Sequence, residues 1–347
     1  MRRFATVVCG ATALLSLAAP SGIAHADALL VNGAGSTFGF PMYSKWFSDY
    51  AKINPSMHFN YQSIGSGGGI KQITERTVDF GASDAPMTDA ELAKAPGILH
   101  IPTVIGAVVI ACNLPGVSSI QLAPDVVADI FLGKIVKWND PRIQSSNNGV
   151  NLPDVSITVA HRSDGSGTTA VFTDYLGKVS PAWKTSVGVG KSVKWPVGLG
   201  GKGNEGVTGT VKSTPGAVGY VELAYARQNK MLVAAIRNHD GKFIAPTIES
   251  ASAAAAGVTP PPDFRVSITD APGATAYPIS AFTYLLVYAD QTDATKGAAL
   301  VNFLAWSIHD GQKLAAPLDY APLPAPIVKR IDETLRTIKS QGKAILK

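Results

Sequence analysis

The 347-residue chain predicts an α/β fold with largely parallel sheets, and three observations carry that expectation. Short apolar segments alternate with amphipathic ones, as strands alternate with helices. Three times, around residues 33–38, 65–69 and 162–168, a Gly/Ser/Thr-rich loop opens a helix-like run. Residues 101–111 are nearly all apolar, which suits a strand buried on both faces of a parallel sheet. More than 300 residues can bury a sizeable core, and two domains are expected at this length.

The chain begins with Arg2 and Arg3, an uncharged stretch over residues 4–24, and Ala24-His25-Ala26. A basic start, an apolar middle and a small-x-small site predict a secretory signal peptide cleaved after Ala26. Gly10, Ser16, Pro20, Ser21 and Gly22 interrupt the run, so it is too short to anchor the protein in a membrane. Cys9 lies too early to take a lipid, and no stable membrane insertion is expected. Loss of Arg2 and Arg3 lowers the formal net charge from +5 to about +3. With no Lys/Arg block, nucleic-acid binding has no support. Cys112 is then the single cysteine, within an apolar run where a buried inert thiol is expected. His25, His58, His100, His161, His239 and His309 are scattered without metal-ligand spacing, so neither a metal nor a cofactor is expected.

Taken in order, residues 29–31 form a strand. Met42, Tyr43, Trp46, Phe47 and Tyr50 then mark one face of a helix with Pro41 in its first turn. Residues 59–62 form a strand, 65–69 a loop and 70–76 a helix start. Three consecutive glycines cost backbone entropy and point to close approach of the main chain to something. Residues 78–83 lead to Asp84. The following helix has its own capping box in Thr88 and Glu91, so Asp84 is free to contact a ligand rather than cap. Further strands are expected at 155–160, 217–221, 232–236 and 276–288. A helix and turn are expected at 124–138, helices at 297–307 and 327–339, and a surface excursion at 250–263.

The stretch Arg162-Ser163-Asp164-Gly165-Ser166-Gly167-Thr168 precedes a helix whose face is marked by Val171, Phe172, Tyr175 and Leu176. Helix starts present unpaired N–H groups and partial positive charge, so this is a ready anion site with a guanidinium beside it. A plainer role, Ser166 or Thr168 capping the helix and Asp164 making a turn, fits the same residues. Residues 198–203 match a dinucleotide fingerprint, with Glu222 at a plausible distance. Trp195-Pro196 would break the strand before it, and Gly206 and Gly209 would weaken the helix after it. A phosphomonoesterase using Ser166 or His161 lacks both a metal cluster and a convincing base.

Together, residues 33–38, 64–70, 79–86, 162–168 and 195–204 resemble the phosphate-binding proteins of phosphate-specific ABC transporters, in order and over nearly the whole mature chain. The resemblance implies a periplasmic-binding-protein fold (type II), with the ligand cleft between domains joined by hinge crossovers. It places domain I at residues 27–108 plus 281–347 and domain II at 109–280. It implies phosphate contacts at Thr37, Phe38, Ser66, Asp84, Arg162, Ser166, Gly167 and Thr168, with Asp164 supporting Arg162. It further implies a monomeric periplasmic receptor, without enzymatic activity, that serves an inner-membrane ABC permease and its ATPase subunits. Gly67 and His161 depart from the family pattern, which has Ser and Arg there. Asp84 is an acid facing an anion, which makes sense if the ligand carries a proton and Asp84 accepts its hydrogen bond. Sulfate, molybdate or a phosphonate is the alternative ligand, and Asp84 is the residue that separates them.

Overall fold

The structure, a computed structural model, describes residues 28–346. The leader expected at residues 1–26 lies outside the described residues. One mixed, curled sheet runs through the molecule. Its strand order is Met57–Ser63, Leu29–Gly35, Phe80–Ser83, Ser280–Tyr288, Ile98–Cys112, Ala217–Glu222, Thr158–Arg162 and Leu199–Gly201. The outer pairings on both sides are parallel. The central ones are antiparallel.

That centre corrects the expectation of a largely parallel sheet. The strand Ile98–Cys112 is buried almost throughout, as its composition demands, but it is antiparallel to both its main neighbours. An apolar run reports burial on two faces; it carries no information on direction. With 15 residues it extends about 50 Å, enough to serve two packed units. Residues 98–107 pair with Ser280–Tyr288, and residues 108–112 pair with Ala217–Glu222. The chain returns beside this change of partner, where Val108 N–H donates to Ile279 O at 2.8 Å. The sheet therefore has two wings meeting at residues 107–108 and 279–280.

On the first wing the helix Phe40–Ile53 buries Met42, Tyr43, Trp46 and Tyr50. Phe47 stacks on Phe59 at 4.4 Å, and Phe303 of the helix Ala294–Ile308 closes the cluster. On the second wing Phe172 stacks on Tyr220 at 4.5 Å, with Phe131 edge-on to Phe172. Cys112 is buried, and burial pushes its thiol pKa up, so it is inert.

Several elements begin or end elsewhere than expected, each for a packing reason. The helix after residue 64 starts at Ser66, so Gly67, Gly68 and Gly69 are its first turn and not a loop. A Cβ at Gly69 would lie 2.5 Å from Ala34 O, so the helix start can sit on the first strand only without one. The helix Gly203–Ser213 forms directly behind Leu199–Gly201 despite its glycines, because Gly206 packs on the backbone of Gly201. The segment 250–263 is no simple excursion. The helix Ile248–Ala256 buries Ala251, Ala254 and Ala255, and Arg330 holds the carbonyls of Pro260 and Pro261. The last long helix, Ala325–Leu335, stops early because Lys339–Ser340 pairs with Asp290–Gln291. The capping box of Thr88 and Glu91 is formed.

Candidate functional site

The two wings bring three loop-to-helix junctions together. Leu29–Gly35 ends in the turn 36–39 before the helix Phe40–Ile53, and Met57–Ser63 ends at Gly65 before Ser66–Thr74. From the second wing, Thr158–Arg162 leads through Asp164 and Gly165 to the helix Gly167–Val179. Ser36, Thr37, Ser66, Asp84, Arg162, Ser166 and Thr168 are all buried, none more than 3% exposed. The wings touch here: Gly67 N–H donates to Gly165 O at 2.8 Å, and a Cβ on Gly167 would meet Ser66 Oγ at 2.3 Å and Asp84 Oδ2 at 2.5 Å. All the sequence-nominated residues thus gather in one enclosed place, from both wings.

Arg162 is held rigidly. Its Nε and Nη2 donate to the two oxygens of Asp164 at 2.7 and 2.5 Å, and its Nη1 donates to Thr168 Oγ1 at 3.2 Å. This fork leaves one N–H on each terminal nitrogen for a ligand. Asp164 also accepts from Gly203 N at 3.0 Å. Burial raises the Asp164 pKa, but the Arg162 bonds outweigh it and hold the carboxyl below its usual range. Gly65, at φ +85°, passes so close to Asp164 that any side chain there would collide with it.

Asp84 is the acceptor among these donors. Its Oδ1 accepts from Ser36 Oγ and from Thr283 Oγ1 at 2.9 Å, and its Oδ2 accepts from Ser66 Oγ at 3.2 Å. A carboxylate has about four lone-pair sites, so Oδ2 retains one on the side facing Gly167. Burial pushes the Asp84 pKa up to about 6, while the hydroxyls of Ser36, Thr283 and Ser66 and the charge of Arg162 pull it down.

The donors are hydroxyls and main-chain amides. Thr37 Oγ1 accepts from Asn204 N at 3.2 Å and Asn204 Nδ2 at 2.8 Å. Thr168 Oγ1 accepts from Arg162 and from Asn204 Nδ2 at 3.2 Å. The amides of Thr37, Phe38, Ser66, Gly167 and Thr168 make no hydrogen bond to a protein acceptor among the described residues. Phe38 offers only its backbone: the ring is buried near Gly106 and Tyr320, whose hydroxyl donates to Phe38 O at 2.5 Å. Ser166 does cap its helix, accepting from Thr169 N at 2.9 Å, which leaves its hydroxyl hydrogen free.

Sequence reasoning missed Ser36, Thr283 and Asn204. Asn204 ends the 195–204 motif, and that was the one available signal. Trp195 is half-buried against the core, stacked on His161 at 4.9 Å and on Tyr220 at 5.5 Å. His161 is half-buried, contacts the backbone carbonyl of Arg162, and makes no side-chain bond to the enclosed cluster. No group of metal-ligating side chains occurs among the described residues, nor a helix long and apolar enough to cross a membrane.

An enclosed, donor-lined site between two wings of one crossing sheet defines a solute-binding protein, and residues 20–310 match the PBP superfamily domain. The chain belongs to the PstS family of phosphate-binding proteins, which bind and do not catalyse. It is 46% identical over 317 residues to the phosphate-binding protein PstS of Xylella fastidiosa, covering 90% of this chain and 86% of that one. To PstS of Pasteurella multocida it is 46% identical over 327 residues, covering 92% and 94%. A solved structure of a phosphate-binding protein from Stenotrophomonas maltophilia shares its fold, with a TM-score of 0.70 at 22% identity, over 88% of this chain and 93% of that one.

Proposed function

We propose that this protein is exported, captures inorganic phosphate between its two wings, and delivers it to an ABC permease of the inner membrane. On this reading the wings are domains, residues 27–108 plus 281–347 and residues 109–280, that close over the ligand by a hinge motion. Cleavage after Ala26 releases a monomeric, periplasmic chain. Thr37, Phe38, Ser66, Gly167 and Thr168 donate main-chain N–H groups, Thr37, Ser166 and Thr168 add hydroxyls, and Arg162 adds a guanidinium. Asp164 fixes Arg162 and tempers its charge.

The observation that carries the reading is Asp84, a buried carboxylate with one unused lone pair set among donors. A fully ionised anion would place oxygen against oxygen there, in a site that excludes water. A ligand that keeps a proton turns the same contact into a hydrogen bond. Phosphate near neutral pH keeps one and sulfate does not. Sites built around such a bond reject the analogue lacking it by roughly 10⁴–10⁵.

Competition titration of phosphate against sulfate between pH 7 and 9 tests this, following tryptophan fluorescence of phosphate-stripped protein. The wild type should select phosphate by at least about 10⁴, and Asp84→Asn should narrow that gap by raising sulfate affinity. An unchanged sulfate affinity in the variant would remove the proton-reading role. Absence of any saturable phosphate response would remove the function itself.

A further inference from the structure

We propose that Asn204 is a positioning residue that sets ligand orientation: its side-chain amide polarises the Thr37 and Thr168 hydroxyls so that both can only donate. This rests on the reading of the site as a phosphate site and deepens it. Asn204 is fully buried in the first turn of Gly203–Ser213. The two hydrogens of its Nδ2 go to Thr37 Oγ1 at 2.8 Å and Thr168 Oγ1 at 3.2 Å, one hydroxyl from each wing. Its Oδ1 accepts from Glu222 N at 2.9 Å. That last bond fixes the amide, because a flip would set oxygen against both hydroxyls and NH₂ against a backbone N–H.

A hydroxyl has one hydrogen and two lone pairs. At Thr37 both lone pairs are taken, by Asn204 N and Nδ2. At Thr168 they are taken by Arg162 Nη1 and Asn204 Nδ2. Each hydroxyl hydrogen is left to point at the ligand and nowhere else. The Thr37–Asn204–Thr168 face therefore accepts only bare oxygens, while Asp84, on its other side, takes the protonated one. Between them they give a bound hydrogen phosphate a single orientation. Asn204 touches no ligand in this scheme and acts through two other side chains. The titratable and charged groups around it are Arg162, Asp164, Glu205, Glu222 and Tyr225.

The test is calorimetric titration with phosphate of full-length mature wild type, Asn204→Ala, Asn204→Asp, Thr37→Val and the Asn204→Ala/Thr37→Val double variant, each affinity taken relative to wild type at the same pH. Asn204→Ala frees the hydroxyls to rotate and should weaken binding about tenfold, with little pH dependence. Asn204→Asp replaces two donors by an acceptor and reverses both hydroxyls, and should weaken binding at least about a hundredfold at pH 8. Its deficit should shrink towards that of Asn204→Ala as the pH falls and the new carboxyl regains a proton. The double variant should lose less than the sum of its two singles, because Asn204 works partly through Thr37. That cycle stands even if Asn204→Asp fails to fold. Additive losses in the cycle, or an Asn204→Asp deficit that ignores pH, would overturn the positioning role. A wild type that fails to bind phosphate at all would instead overturn the phosphate reading beneath it.

Discussion

Asp84 combines two requirements that pull in opposite directions. In the proposed role it must be ionised to accept a hydrogen bond from its ligand, yet burial raises its pKa to about 6. Its folded-state pKa thus lies above the ordinary carboxylate value of about 4. Asp84 stabilises the fold, relative to its ionised form, below about pH 4, and that contribution is lost as the pH rises through about 6. A shift of this size corresponds to about 3 kcal/mol in ligand-free closed protein above pH 7. Asp84→Asn should accordingly raise the thermal midpoint of phosphate-free protein at pH 7.5 and lose that advantage near pH 4. Calorimetric scans at both pH values check it, and equal differences at both would contradict it. The residue itself was legible in the sequence, because the capping box of Thr88 and Glu91 left it without a local task. Its partners were not. Ser36 reaches it from the turn after Leu29–Gly35 and Thr283 from the strand Ser280–Tyr288, 199 positions away, and pairing of that kind has no local signature.

Two of the helices that point into the site, Ser66–Thr74 and Gly167–Val179, begin with residues too small to hold the wings apart, and Gly167 is the extreme case. It starts its helix against Ser66 and Asp84 of the other wing, and a methyl group there would overlap both. Gly167→Ala should therefore cut phosphate affinity by at least about a hundredfold, since overpacking and lost closure act together. The thermal midpoint of the ligand-free protein should fall as well, because the closed form carries the same overlap without ligand. Titration beside a thermal scan checks this; retained affinity would mean that the wings do not close as tightly as the present contact requires. Amphipathic spacing located most helices, and apolar runs located the central strands. Boundaries moved where packing outweighed propensity, at Gly67 to Gly69, which joined a helix, and at Gly206, which did not break one. Direction of the central strands was illegible, because burial on both faces looks alike in parallel and antiparallel neighbours.

Across the whole molecule, the proposed closure would be reinforced outside the site by ion pairs on the helix Asp89–Lys94. Glu91 meets Lys191 at 2.9 Å, and Asp89 meets Arg265 at 2.6 Å, Arg265 also donating to Met87 O. The two pairs are unequal. Lys191 and Glu91 are 15% and 29% exposed, whereas Asp89 is 91% exposed and its pair is screened by water. Burial raises the Glu91 pKa, but the Thr88 and Lys191 bonds outweigh it and leave it below the ordinary value. The pair Glu91–Lys191 is thus intact near neutral pH and is lost as acidification protonates Glu91. A partly buried pair of this kind contributes about 1 kcal/mol, so Lys191→Met should speed phosphate release roughly fivefold. Arg265→Met should change release less, and neither should alter capture much, since both pairs form only once the wings have met. At 1 M salt the screening length falls to about 3 Å, and the release rates of wild type and Lys191→Met should converge. Stopped-flow release at low and high salt decides the matter. A Lys191→Met rate equal to wild type at low salt would assign closure to the site alone, and a persistent difference at 1 M salt would assign the Lys191 effect to packing of its stem.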